Sequence, residues 1–257
     1  MKIEACGLHM RLGSREVLRG LDFVAHTGEM TAVIGPNGAG KTTLLKALAG
    51  LLTPSAGAVT LDGRAMADWP PLVRARSLAY LPQERTTHWA LSARAVVALG
   101  RLPHQPMGAG ESAADARAID AALAAMDIGH LAERPVLEMS GGERARVLVA
   151  RALAQEPVAL LADEPAAGLD PAHQLTLFHH LTALASAGRT VVVALHDLSL
   201  AARFCHRIVL MQAGRTIAAG APEDVLKSEH LAAVYGINAR YATIEGVPVV
   251  LVADVLP

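Results

Sequence analysis

A chain of 257 residues, 52% apolar yet only 3% aromatic, is long enough for one large α/β domain with an inserted subdomain, its core built from Ala, Leu and Val rather than rings. Its 23 basic and 24 acidic side chains leave a formal charge of -1, which gives no electrostatic drive toward nucleic acid or anionic lipid. Cys6 and Cys205 are its two cysteines, and without a CxxC spacing they argue against a disulfide framework or zinc ribbon and predict reduced thiols.

The N-terminus, with Lys2 and Glu4 early, lacks the continuous apolar stretch of a secretory leader. Ile3, Ala5, Val17, Leu18, Leu21 and Phe23 predict short antiparallel strands, with turns at Gly13, Gly20 and Gly28. Residues 30–34 predict a buried strand that runs into a glycine-rich turn. Residues 42–52 follow as a helix, with Leu44, Leu45, Leu48 and Leu51 at helical spacing. A strand over 77–81 leads to Gln83. The composition then turns alanine-rich and helical from about 91 to 153, broken by a loop at Pro103, Pro106, Gly108 and Gly110. Strands return at 158–162, 190–195 and 207–211, so sheet segments flank a helical insertion placed at 85–156. The longest apolar runs, 190–195 and 247–252, fall far short of the roughly 20 residues that a membrane helix needs, and a cytosolic chain is expected.

GPNGAGKTT, residues 35–43, fits the pattern G-x-x-x-x-G-K-[ST] between a strand and a helix. In a phosphate-binding loop spanning Gly35, Pro36, Asn37, Gly38, Ala39 and Gly40, the glycines let backbone N–H groups turn inward, and the helix start through Thr43 adds its dipole. Lys41 reaches the β- and γ-phosphates and Thr42 offers a hydroxyl to Mg²⁺. The bland alternative is a glycine-rich turn capping a helix.

Asp163 and Glu164 close the apolar strand 158–162, at the end that opens onto the ligand crevice of a parallel sheet. Side chains alternate along a strand, so the two carboxylates divide the work: Asp163 for Mg²⁺ through bound water, Glu164 for orienting or deprotonating the attacking water. Alone, such a pair is more often a surface turn; beside the phosphate loop that reading gives way. His196 follows the strand 190–195 in the same way and points to the same crevice, where it can hold the γ-phosphate and water. His173, His179 and His180 could share a helix face but are assigned no function. MSGGERARVLVARALA, residues 139–154, begins with an N-cap, Ser140, whose neighbouring N–H groups can hold a second phosphate.

That segment resembles the LSGGQ signature of ABC ATPases, and the phosphate loop, Gln83, Asp163, Glu164, Asp170 and His196 stand in that family's order across essentially the whole chain. The resemblance implies a P-loop NTPase with a RecA-like core over 1–84 and 157–257, an N-terminal antiparallel β subdomain, and a helical signature subdomain over 85–156. It implies a second copy of the chain, paired head to tail, with ATP trapped between one copy's phosphate loop and the other's Ser140, Gly141, Gly142 and Asp170. It also implies that Gln83 serves both Mg²⁺ or water and the cleft that receives a membrane permease. Three features depart from the family pattern. Met10, Arg11 and Leu12 offer no aromatic ring for adenine, Glu143 replaces the signature Gln, and Ala166 and Ala167 replace hydroxyl residues. Arg144, Arg146 and Arg151 are expected to solvate the helix or touch neighbours.

LGRLPHQP (99–106), ERPVLEMSGGE (133–143) and the strand-like 247–252 are similar to the importer ATPases for iron-siderophores, haem and cobalamin. Such a subunit lies at the cytoplasmic face of a bacterial inner membrane, served by two permease subunits and, indirectly, a periplasmic binding protein. Importers of other metals or small solutes and the soluble ABC ATPase of iron-sulfur cluster assembly remain alternatives. DNA-repair or chromosome-structure ATPases carry long insertions for which the 99 positions from Lys41 to Ser140 leave no room. A nucleotide kinase would leave the signature segment unexplained.

Overall fold

The computed structural model describes residues 1–83, 90–106, 108 and 110–256. The chain opens with β1 (Ile3–Leu12), β2 (Arg15–Ala25), β3 (Met30–Ile34) and helix α1 (Lys41–Leu48). It continues through β4 (Ala56–Leu61), β5 (Arg64–Ala65), α2 (Pro71–Ser77) and β6 (Leu78–Leu81). Three helices follow, α3 (Ala93–Ala98), α4 (Ala113–Ala125) and α5 (Gly141–Ala154). Then come β7 (Ala159–Asp163), α6 (Pro171–Ser186), β8 (Thr190–Ala194), α7 (Leu198–Phe204), β9 (Arg207–Gln212) and β10 (Arg215–Gly220). The chain ends in α8 (Pro222–Val225), α9 (Ser228–Tyr235), β11 (Ile237–Ile244) and β12 (Val247–Val255).

Six strands form the central sheet in the order β10-β9-β3-β8-β7-β6, parallel throughout except for the antiparallel edge pair β10–β9. Every residue of β3, β7 and β8 is buried, as a parallel sheet covered on both faces requires. Alternation splits these strands between two cores. Ala32, Leu160, Ala162 and Val193 join the helical side with α4 to α7, whereas Val33, Leu161, Val192 and Val209 meet α1 and the antiparallel sheet. Each fully buried Val or Leu contributes about 1.5–3 kcal/mol, so these strands are a rigid floor under the loops at their C-terminal ends.

The second sheet, β2-β1-β4-β5, is antiparallel. Gly20, expected at a turn, instead lies inside β2 with φ 67°. Pairing slips there from Leu8–Leu21 to His9–Arg19, so glycine absorbs a bulge instead of ending a strand. The strand-like 247–252 lies within β12, which pairs with β11 as a separate hairpin that packs on α7 and α9.

The helices between β6 and β7 are set by their caps. Ser112 accepts from the Asp115 N–H while the Asp115 carboxylate accepts from the Ser112 N–H, a reciprocal box at the start of α4. Ser140 and Glu143 make the same box on α5. The start placed at 85 for the helical insertion lies outside the described residues; α3 begins at Ala93. Arg146 donates to the carbonyls of Met126 and Asp127 just past α4, which ties α5 to its neighbour instead of solvating it. Among the described residues no helix is long and apolar enough to cross a membrane.

The tract 99–106 has a packing role. A Cβ on Gly100 would stand 2.1 Å from the carbonyl oxygen of Arg151, so only glycine lets this turn lie against α5. The next residue, Arg101, is buried. Its guanidinium donates to Asp115 at 2.8 Å, to the Ala154 carbonyl at 2.7 Å and to Glu156 at 2.7 Å, joining α4 to the end of α5. Those bonds hold the Asp115 carboxyl well below the usual carboxylate range, with Arg101 the largest cause and the Ser112 cap next.

Candidate functional site

The loop between β3 and α1 is shaped by two glycines. Gly35 has φ 152°, and a Cβ there would stand 2.3 Å from the Met211 carbonyl oxygen on β9. Gly40, with φ 103°, is the N-cap of α1 and would push a Cβ to 2.9 Å from Leu18. A side chain at Gly35 would have to move the β9 backbone, and one at Gly40 would be strained by its left-handed φ. The Lys41 ammonium donates to the carbonyls of Gly35 at 2.7 Å and Pro36 at 3.3 Å. Burial lowers its pKa first; the carboxylates of Glu164 and Asp163 pull it back up.

Asn37, Gly38, Ala39, Gly40, Lys41, Thr42, Thr43, Gln83 and Glu164 line one cleft of about 310 Å³, and Leu12, Arg15 and Val17 of the β1–β2 hairpin also line it. Arg15 and Val17 were missed in the sequence, where attention fell on the lack of an aromatic at Met10, Arg11 and Leu12. They stand two and four residues after the Gly13 turn, a hairpin geometry that composition alone does not specify. Arg11 instead donates to the Ser14 carbonyl at 3.2 Å, within its own turn.

Asp163, the last residue of β7, is 1% exposed, and no well-formed hydrogen bond reaches either carboxylate oxygen. It faces α1, on the side of Leu161. Burial raises its pKa; the Thr42 hydroxyl works against that, and the neighbouring Glu164 adds to it. Two bare oxygens beside Thr42 and Lys41 are a fit for a hard divalent cation held through water, the donor set that Mg²⁺ prefers.

Glu164 adopts φ 50°, a left-handed backbone unusual for a residue other than glycine. The turn brings its carboxylate to Gln83 and His196. Gln83 Nε2 donates to Oε2 at 2.8 Å, and His196 Nε2 lies 2.5 Å from Oε1. Gln83 arrives from β6, Glu164 from β7 and His196 from β8, three neighbouring strands whose ends converge. His196 lines a second, smaller cleft of about 140 Å³ with Glu164, Ala166, Ala167 and Gln174.

The helix start at Ser140, Gly141 and Gly142 does not line the phosphate-loop cleft. An added Cβ on Gly142 would come within 3.6 Å of the Gly168 carbonyl, beside the turn that ends in Asp170. Asp170 caps α6, accepting from the His173 N–H at 3.0 Å, and pairs with the His173 ring at 2.6 Å. His173 contacts, lowering its pKa, come first among the causes. Among the described residues no cluster of three His, Cys, Asp or Glu is arranged for a metal.

The sequence profile of the ABC transporter family matches residues 18–167. A hemin import ATP-binding protein, HmuV, of Pseudomonas aeruginosa is 49% identical over 236 residues, covering 90% of this chain and 91% of the relative. Its counterpart in Myxococcus xanthus is 44% identical and covers 96% and 95%. Among solved structures, one described as an inward-facing conformation of a putative metal-chelate type ABC transporter superposes with a TM-score of 0.83 at 27% identity, covering 98% of this chain and 97% of that one. The strand order, the phosphate loop and this similarity over nearly the full length agree: the chain belongs to the ABC transporter family, as an ATP-binding subunit.

Proposed function

We propose that this chain hydrolyses ATP to drive import of haem or a closely related iron chelate, as a peripheral subunit on the cytoplasmic face of a bacterial inner membrane. The haem assignment rests on relatives named as hemin import ATP-binding proteins, similar over nine-tenths of both chains.

The mechanistic reading is supported by one arrangement: the phosphate loop, Gln83 and Glu164 line the cleft and Asp163 is buried behind Thr42, yet the helix start at Ser140 lies outside it. A complete site then needs Ser140, Gly141, Gly142 and Asp170 from a second copy, placed head to tail. In this scheme Gly35, Pro36, Asn37, Gly38, Ala39, Gly40, Lys41, Thr42 and Thr43 hold the phosphates. Lys41 exchanges the carbonyls of Gly35 and Pro36 for phosphate oxygens. Leu12 and Val17 give the base an apolar face, and the Arg15 guanidinium stacks on it. Thr42, Gln83 and Asp163 would hold Mg²⁺, which when bound neutralises charge on the β- and γ-phosphates. Glu164 orients and deprotonates the attacking water, and His196 fixes its carboxylate and reaches toward the γ-phosphate.

Gln83 links this chemistry to the permease pair. Leu51, Pro71, Leu78, Tyr80 and Pro103 line a hollow of about 290 Å³ beside β6, and Leu72, Val73 and Leu102, adjacent in sequence to its lining residues, are exposed apolar side chains, a surface suited to an apolar helix of a membrane partner. The core over 1–84 and 157–257 and the helical part over 85–156 would then move against each other as the permease does. A periplasmic binding protein acts only through that permease.

Deletion of the gene is expected to abolish growth on haem as sole iron source, with rescue by the wild-type chain and none by Lys41→Ala. Undiminished growth on haem, with loss of growth on another iron chelate, would reassign the cargo.

A further inference from the structure

Asp163 and Tyr80 occupy adjacent parallel strands. Tyr80 on β6 is registered against Leu161 on β7, and Asp163 lies two residues farther along the same face. Directly paired residues of neighbouring strands point to one side, and a diagonal neighbour two positions on lies roughly 7–8 Å away, within reach of a long aromatic side chain. Packing agrees: Tyr80 and Leu161 both belong to the core on the α1 side.

Both polar groups are buried and incompletely bonded. The Tyr80 hydroxyl and the two Asp163 oxygens have negligible accessible surface, and none has a well-formed hydrogen bond. A buried phenol usually finds a partner, and a buried donor or acceptor left unmet carries the full penalty of its desolvation. The acceptor nearest in kind is the Asp163 carboxylate, and an ordinary phenol carries its proton at neutral pH and donates.

We infer that Tyr80 is a positioning residue for the metal carboxylate, donating its O–H to one oxygen of Asp163, directly or through one water, so that the other oxygen is fixed toward the divalent cation. The inference rests on the assignment of Asp163 to the metal. It goes beyond that assignment by giving one strand two roles, since β6 carries Tyr80 to Asp163 and, three residues later, Gln83 to Glu164. A shift of this strand would then reach the metal carboxylate and the water-activating carboxylate together. Hydrogen-bond partners behind a metal ligand typically change metal affinity by about 10–100-fold.

Tyr80→Phe removes only the hydroxyl and keeps the ring. Mn²⁺ affinity would be measured by electron paramagnetic resonance with a nonhydrolysable ATP analogue bound, alongside the Mg²⁺ dependence of hydrolysis and the melting temperature. The expected result is a roughly 10-fold or greater loss of Mn²⁺ affinity, an equal rise in half-saturating Mg²⁺, and a kcat at saturating Mg²⁺ within about twofold of wild type. A melting shift without loss of Mn²⁺ affinity, or a fall in kcat that excess Mg²⁺ does not restore, overturns the positioning role. Asp163→Ala is measured in parallel. Wild-type Mn²⁺ affinity in that variant overturns the assignment of Asp163 and the inference with it, whereas loss in Asp163→Ala without loss in Tyr80→Phe removes Tyr80 alone.

Discussion

His196 Nε2 lies 2.5 Å from Glu164 Oε1, while the other oxygen of the same carboxylate accepts from Gln83. The group proposed to activate water is therefore held from both sides. The His196 contact leaves Glu164 fixed, and withdrawal of Gln83 would free an oxygen for water. Glu164→Gln should keep ATP affinity near wild type and lower kcat by about 10²–10⁴, the range for a positioned general base. Single-turnover hydrolysis alongside equilibrium binding checks this, and near-normal turnover removes Glu164 from that role.

The position of Ser140 outside the phosphate-loop cleft leads to a mixing experiment. Ser140→Arg places a bulky cation at the proposed cross-dimer contact, and Lys41→Ala removes the phosphate-binding ammonium. Each variant alone should lack measurable hydrolysis. In a mixed dimer, one site carries both lesions and the other carries neither, so activity should return to at most half of the wild-type value per dimer. If the variants associate yet the mixture stays silent, the head-to-tail arrangement fails.

Arg15, Leu12 and Val17 make a prediction about base selectivity. A guanidinium and two aliphatic side chains present a stacking and apolar surface with little hydrogen-bond readout, so ATP and GTP should bind within about tenfold of each other. Arg15→Ala should weaken ATP by roughly 0.5–2 kcal/mol, the worth of a cation–π contact, and leave inorganic triphosphate unaffected. Calorimetric titration with both ligands separates the two. Equal losses for both would place Arg15 against phosphate instead.

Much of this was legible in the chain because the motifs are local. Residues 35–43 fix a loop whose glycines meet Met211 and Leu18, and the apolar strands 158–162 and 190–195 place Asp163, Glu164 and His196 at their ends. What escaped depends on distant partners. Gly20 was read as a turn because a bulge depends on the pairing of β1 with β2. Arg15 enters the cleft only through the hairpin's geometry. Arg101 and Gly100 looked like markers of a subfamily, yet their neighbours, Asp115 and Arg151, stand 14 and 51 positions on. Glu143, which departs from the signature pattern, is engaged at home in the cap of α5.

Asp163 should cost the nucleotide-free chain stability. Its pKa is raised in the folded state, so the native fold binds this proton more readily than the unfolded chain, whose value is near 3.9. The cost is therefore full above the raised folded pKa and fades as pH falls through it toward 3.9. Asp163→Asn should melt higher than wild type without nucleotide. Relief of one buried unsatisfied group is worth about 1–3 kcal/mol, and each kcal/mol raises the melting temperature by about 2–4 °C in a chain of this size. Calorimetry at pH 8 and near pH 4 should show the gap closing in acid, while Mg²⁺-dependent hydrolysis is lost throughout. A variant that melts lower at pH 8 contradicts the claim that the carboxylate is held at a cost.

Gly100 tests whether the helical segment depends on close packing of its turn against α5. Alanine there brings its Cβ within 2.1 Å of the Arg151 carbonyl, a backbone atom that moves only with its helix. Overpacking of this kind costs about 1–3 kcal/mol, and the displacement would also strain the Arg101 bonds to Asp115 and to the Ala154 carbonyl. Gly100→Ala should lower the melting temperature, and Arg101→Leu should lower it too by leaving Asp115 buried without its partner. Because both variants disturb the Arg101 link, their effects should sum to more than the double variant loses. Neither residue lines the phosphate-loop cleft, so affinity for ATP at low temperature should stay within about twofold. Additive losses in the double variant would mean that the turn and the ion pair support the fold separately, and a melting temperature unchanged by Gly100→Ala would show that α5 yields to the added carbon without cost.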